Sequence, residues 1–283
     1  MDRTEIIEKL AGLFAIVPGN KLIRENGIKK KYIGTVMFDA PIAGFASADD
    51  ALFDKFKETG VIGPWHMSPN EWLDGAKTVI SLFFPITEEV RKSNYEAKSV
   101  SSKQWAYARI DGQAYITEYM EALKTWFEEN GVRACVPAAD PRFAAVRKGR
   151  GITGYAEING STYGSRWSER HAAYACGLGT FGLSKGLITE KGMAGRFASI
   201  IIDLPLKADV REYSGVYDYC IKCGACVKRC PVNAIDMEKG KDHIKCHGNV
   251  TKSGIIHYPR YGCGLCQTKV PCESGHPLKP TEK

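Results

Sequence analysis

Eight of the ten cysteines lie between residues 220 and 272. The first four read Cys220, Cys223, Cys226 and Cys230, separated by two, two and three residues and followed by Pro231. Thiolates at these offsets wrap one corner of a cubane iron–sulfur cluster, and the fourth turns away to a neighbouring cluster. The chemistry is single-electron transfer. A second cluster is therefore expected, and Cys246, Cys263, Cys266 and Cys272 are available for it. The crossing rule assigns Cys220, Cys223, Cys226 and Cys272 to cluster one, and Cys230, Cys246, Cys263 and Cys266 to cluster two. A zinc ribbon would use two of the pairs and strand the others. Disulfides are a poorer account, because tight pairs in a chain with no apparent secretion signal favour metal. Cys135 and Cys176 lie far upstream in apolar surroundings and are read as small buried hydrophobes.

The elements that must hold these cysteines come from a chain of 283 residues, long enough for two domains. The first residues mix both charge signs like an amphipathic helix, and the apolar run Val79–Phe84 is far too short to span a bilayer. A cytoplasmic protein with no membrane attachment is expected. The net charge is +7, and most of the excess sits in 213–283, with 11 Lys+Arg against 6 Asp+Glu. Two cubanes with their thiolates would bring roughly −4 to that part, so the basic surplus reads as cluster compensation. No lysine run interleaved with aromatics suggests a nucleic-acid face.

Along the chain, the pattern predicts a helix near 4–15, a strand at 32–38 and a helical stretch at 48–59. An apolar strand is expected from Thr78 to Phe84, ended by Pro85. The strongest helical period runs over 103–129, where Trp105, Ala108, Tyr115, Tyr119, Leu123, Trp126 and Phe127 recur at three- and four-residue steps. Asn130-Gly131 is a helix stop. Short strands are expected at 132–136 and 196–203, a glycine-rich loop at 149–165, and a helix at 168–176. This mixture suggests an α+β or α/β domain over 1–212 with a smaller ferredoxin-like domain over 213–283. The run Gly177, Leu178, Gly179, Thr180, Phe181, Gly182 follows a helix, not a strand, so it lacks the context of a dinucleotide fingerprint. It reads either as a place where backbone approaches something bulky or as a tight turn.

The stretch from Ser168-Glu169-Arg170-His171 to Gly177-Leu178-Gly179-Thr180-Phe181-Gly182-Leu183-Ser184-Lys185 is similar to a segment of epoxyqueuosine reductases, which are related to reductive dehalogenases. Gly75 to Ile80, Ile202 to Leu206 and Tyr261 to Gln267 resemble three further segments of that family. The likeness covers roughly residues 70–272. It implies an α+β fold, with a nitroreductase-like cobalamin-binding domain before a domain holding two 4Fe–4S clusters. It also implies an iron–sulfur oxidoreductase in which electrons pass from the clusters to cobalamin, where a small-molecule substrate is reduced. Gly177, Leu178, Gly179, Thr180, Phe181, Gly182 and Lys185 are then expected to bind the corrinoid. Asp111 is the nearest match to the family's proton donor, and Tyr115, one helical turn on, could serve instead.

Two departures shape the partners expected. The chain carries no helical-repeat segment after its last cysteine, so tRNA is not an expected substrate. Five residues separate Cys266 from Cys272, with Pro271 before the latter, where the family has a tighter motif. An external electron donor such as a ferredoxin or flavodoxin is needed. Two rival readings keep the clusters but change the acceptor. One is an activating protein that reduces a partner corrinoid protein. The other is a reductase with flavin in place of the corrinoid.

Overall fold

The computed structural model describes residues 1–24, 28–146 and 164–279. Most of the glycine-rich loop expected at 149–165 lies outside the described residues; Gly164–Ser165 is a short strand paired with Ala145–Val146. An antiparallel sheet forms the centre, in the order Ile42–Ser47, Thr78–Pro85, Gly195–Ile202, Ala134–Cys135. Thr78 pairs with Ile202 and Pro85 with Gly195. All eight residues of Thr78–Pro85 are buried.

Alternation along this strand divides the core, because successive side chains point to opposite faces. Ile80, Leu82 and Phe84 join Ile200 and Ile202 beneath Tyr119, Leu123 and Phe127 of the long helix Lys103–Glu129. Val79, Phe83 and Ile201 pack on the other face against Phe53, Trp72, Trp167 and the helix Glu169–Ala175. The long helix starts where the Ser102 side chain accepts from the Trp105 amide at 3.1 Å, satisfying an end donor that would otherwise lack a partner. It ends at Asn130, and Gly131 takes the left-handed conformation at φ 75°.

One expected strand is absent. Residues 32–38 make two isolated bridges, Lys21 with Val36 and Phe38 with Ile86, because Gly34 turns the chain at φ 92°. The edge of the sheet is supplied by Ile42–Ser47 instead, whose Gly44 lets the carbonyl of Cys176 pass where a Cβ would be 2.3 Å away.

The cysteine-rich segment is built from the helix Ala225–Arg229, the small hairpin of Ile235–Asp236 with Gly240–Lys241, and the helix His243–His257. It is gripped by the chain between residues 91 and 111. Asn94 donates to the Cys263 carbonyl at 3.3 Å and the Thr268 hydroxyl at 3.2 Å. Arg229 donates to the carbonyls of Asn94 and Tyr95, and the Ser101 hydroxyl to that of Gly262. Arg91 pairs with Glu273 at 2.9 Å. No helix among the described residues is long and apolar enough to cross a membrane.

Candidate functional site

The eight clustered cysteines divide between two cavities. Cys220, Cys223, Cys226 and Cys272 line the smaller one. Cys230, Cys246, Cys263 and Cys266 line the larger, of about 700 Å³. These are the two crossed sets read from the spacing. Burial pushes the Cys272 thiol up to about 12, and its own set, Cys226, Cys220 and Cys223, adds to the shift. Burial pushes Cys263 up to about 11, with Cys266 and Cys246 adding. Cys226 is raised to about 11 by burial and then by Cys266, so it faces the other set as well as its own. Among the described residues no three metal-binding side chains meet at a point as a single ion needs. The thiols stand on the walls of cavities instead.

The donor set fits iron–sulfur clusters. All eight donors are thiols, and backbone and amide N–H groups are aimed at sulfur. Ala234 N–H donates to Cys230 Sγ at 3.2 Å, and Asn249 Nδ2 to Cys263 Sγ at 3.3 Å. Such bonds favour the more negative, reduced cluster and tune its potential. Cys223 is the exposed member of the eight; the other seven are partly buried. Cys135 and Cys176 are 7% and 0% exposed and line neither cavity. Burial pushes the Cys135 thiol up to about 11 and Cys176 higher still.

The large cavity lies between the long helix, the strand Gly195–Ile202 and the second cysteine set. Trp105, Ile116, Met120, Phe143 and Phe197 give it apolar walls. Its polar groups are unevenly charged: Arg109, Arg170, Arg196 and Lys241 face a single carboxylate, Glu169. Ser199 donates to Glu169 Oε2 at 2.6 Å and accepts from the Trp167 indole at 2.8 Å. Glu169 Oε1 is buried without a partner. Burial raises this carboxyl to about 7, against the downward pull of Ser199, Trp167 and Arg196. Arg196 Nη2 donates to Gln113 Oε1. Burial, then the nearby Arg109 and Arg170, bring Arg196 down to about 10.

The structure does not bring the other expected site residues to this cavity. Asp111 is held by Arg260 in a two-pronged ion pair at 2.6 and 2.8 Å. Tyr115 is 1% exposed and sits among Phe14, Phe38, Phe84 and Tyr119 in the core. Neither lines the large cavity. Gly179–Phe181 pairs with Leu187–Thr189 as a hairpin. A Cβ on Gly179 would stand 1.9 Å from the Ile188 carbonyl oxygen, so backbone packing alone accounts for that glycine. Thr180 accepts from the Tyr219 amide at 2.8 Å, and Phe181 packs on His171 and Tyr174. Gly177 and Leu178 lie on the turn before it, and Gly182 lines the smaller cavity. Lys185 donates to the Tyr217 hydroxyl at 2.6 Å. The loop reaches the large cavity one turn later, through Ser184, Gly186 and Leu187.

Sequence reasoning did not single out Arg109, Gln113, Glu169, Arg170, Arg196 or Lys241. Glu169 and Arg170 stand inside the segment that carries the family likeness, which was the available signal. Arg196 begins a strand and carries no signal in one sequence.

A 4Fe–4S binding domain model matches residues 215–236. The chain is 27% identical over 221 residues to the epoxyqueuosine reductase of Leadbetterella byssophila, covering 74% of this chain and 62% of that one. It is 40% identical over 68 residues to the tetrachloroethene reductive dehalogenase of Desulfitobacterium hafniense, or 24% of this chain and 12% of that one. A crystal structure of epoxyqueuosine reductase with an epoxyqueuosine-modified tRNA stem loop matches 97% of this chain and 66% of that one. Its TM-score is 0.54 at 16% identity, a likeness of fold. In sequence and fold the chain is similar to epoxyqueuosine reductases, and it carries a 4Fe–4S binding motif. It spans about three fifths of the length of the epoxyqueuosine reductases of Leadbetterella byssophila and Cyclobacterium marinum.

Proposed function

We propose that this chain is an iron–sulfur oxidoreductase whose eight clustered cysteines would hold two 4Fe–4S clusters, and that a corrinoid beside the second set would supply the reducing chemistry for a small substrate in the large cavity. The observation that carries this reading is the division of the eight cysteines. One crossed set lines the smaller cavity, and the other opens onto an apolar cavity large enough for a small organic ligand. The reading places residues 1–212 as the corrinoid and substrate domain and 213–283 as the cluster domain.

When bound, the clusters supply single electrons and the corrinoid supplies a strongly reducing centre. The chain's own residues do the rest. Cys220, Cys223, Cys226 and Cys272 hold cluster one, and Cys230, Cys246, Cys263 and Cys266 hold cluster two. Cys223 is exposed, so a cluster held by its set would be within reach of an external donor protein such as a ferredoxin or flavodoxin. The Asn249 amide and Ala234 N–H bias cluster two toward its reduced form. Trp105, Phe143 and Phe197 give the cavity apolar surface for the body of a ligand. Glu169, its carboxyl raised by burial to about 7, can take up and release a proton near neutral pH, and its Ser199 contact keeps the carboxyl in place.

The test is anaerobic purification, cluster reconstitution and a visible spectrum with and without added cobalamin. A shifted cobalamin spectrum with cluster absorbance intact is expected. No change with excess cobalamin, together with a retained flavin, would replace the corrinoid by flavin on the same scaffold.

A further inference from the structure

The charge in the large cavity is not neutralised by the protein. Among the described residues no ion pair joins Arg109, Arg170 or Arg196 to a carboxylate. Three guanidinium groups close enough to repel one another in a partly buried cavity are costly to keep charged. The clusters account for part of this. Arg170 and Lys241 share the cavity wall with Cys246 and Cys266, where a cluster held by the second set would offset their charge. Arg196 is different. The groups that favour its charge are Tyr261 and Glu169, and Glu169 is raised toward neutrality. Its side-chain partner is Gln113, a neutral amide at a position where a carboxylate would have cancelled it. Arg109 lies over the Tyr261 ring at 4.2 Å, which positions a cation without neutralising it. Arg196 and Arg109 therefore stand in the cavity wall as two oriented cations with no carboxylate ion pair.

We propose that the cavity takes a small organic oxyanion, a carboxylate or phosphate monoester with an apolar body, whose anionic group is held by Arg196 and Arg109. The apolar body lies against Trp105, Phe143 and Phe197. Gln113 is a positioning residue: its carbonyl oxygen accepts from Nη2 and turns the remaining donors of Arg196 to the ligand. Planar guanidinium groups match carboxylate and phosphate oxygens in pairs, which a lone lysine does not. The inference rests on the cavity being the substrate site of the proposed oxidoreductase, but it does not depend on which redox group is bound.

The experiment is equilibrium binding by calorimetry to the reconstituted full chain under anaerobic conditions. The probes are phenylacetate, phenyl phosphate and the uncharged phenylacetamide. At least one anion should bind about tenfold or more tightly than the amide. Arg196→Gln should reduce that anion to the level of the amide. Gln113→Glu is the second variant. It supplies Arg196 with a counter-charge, so the fold should hold or gain stability while the anion preference disappears. Arg133→Gln, at a surface ion pair with Asp203 remote from the cavity, should leave all three affinities unchanged. Phenyl phosphate binding with phenylacetate excluded marks a phosphate ester as the class, and the reverse a carboxylate. Equal affinity for amide and anions, no binding of any probe, or anion binding untouched by both cavity variants would overturn the proposal. Iron content and the cobalamin spectrum are read separately, so failure here is distinguishable from failure of the redox reading.

Discussion

Gly264, at φ 65°, lies so close to the Trp105 indole that a Cβ at 264 would stand 2.0 Å from Trp105 Cε2. The turn that carries Cys263 and Cys266 is thus seated on the first turn of the long helix. Both residues also line the large cavity.

Gly264→Ala should therefore displace the second cysteine set. The left-handed conformation alone costs a non-glycine residue about 1 kcal/mol, and the indole contact adds to it. Reconstituted Gly264→Ala should lose about half its iron while the first set keeps its cluster. Trp105→Ala in the same chain should restore part of the loss by making room. Full iron in the single variant would mean that the turn does not hold a cluster in this seat.

Single cysteine variants check the division between cavities. Cys272→Ala should abolish the cluster of Cys220, Cys223 and Cys226, although its nearest cysteine in sequence is Cys266. Cys246→Ala should abolish the other. Each should retain about four of eight irons, and electron paramagnetic resonance of the reduced protein should lose a different signal in each case. Loss of the same signal from both would refute the two sets.

The ion pair of Asp111 with Arg260 is largely buried, with side chains 9% and 12% exposed. Removing one partner of such a pair leaves an uncompensated charge and costs about 3 kcal/mol or more. Asp111→Asn and Arg260→Gln should each destabilise the protein in urea unfolding, and the double variant should be less unstable than the sum. A residue acting as proton donor would instead slow turnover without this coupling to Arg260.

Protonation of Glu169 gives a pH dependence of defined sign. Its folded carboxyl is raised from 4.5 to about 7, so the folded protein binds that proton more tightly than the unfolded chain. The contribution is complete at pH below 4.5 and is lost as pH rises through about 7. Buried His171 and His66 act oppositely. They are lowered from 6.5 to about 3 and about 4, so their contribution is present above 6.5 and lost as pH falls through those values. The wild-type profile is a partial cancellation. Comparing it with Glu169→Gln isolates the carboxyl: the variant should gain stability relative to wild type between about pH 5 and pH 8. Parallel profiles would show that Glu169 is not held neutral by the fold.

The strands Thr78–Pro85 and Gly195–Ile202 and the helix Lys103–Glu129 were legible because each carries its own period or apolar run. The eight clustered cysteines line two cavities in the grouping that their spacing suggests. The charge of the large cavity was not, because it depends on pairs far apart in sequence. Gln113 and Arg196 are 83 residues apart, and Asp111 and Arg260 are 149 apart. No local pattern says that Asp111 meets a cation and Arg196 an amide. The glycine run from 177 to 182 was ambiguous for another reason. A hairpin pressed against Ile188 and a cradle for a ligand both require missing side chains, and one sequence cannot separate them.

The pairing of Thr78–Pro85 with Gly195–Ile202 also orders events during synthesis. Those strands are far apart in the chain, so the sheet cannot close until the ribosome has released residue 202. The cysteine segment arrives after it, onto a wall already made at Asn94, Ser101, Trp105 and Asp111. A chain starved of iron at that moment would still present a finished central sheet with its cysteine segment undocked. Maturation would then be limited by cluster delivery to a folded scaffold, not by folding of the scaffold itself.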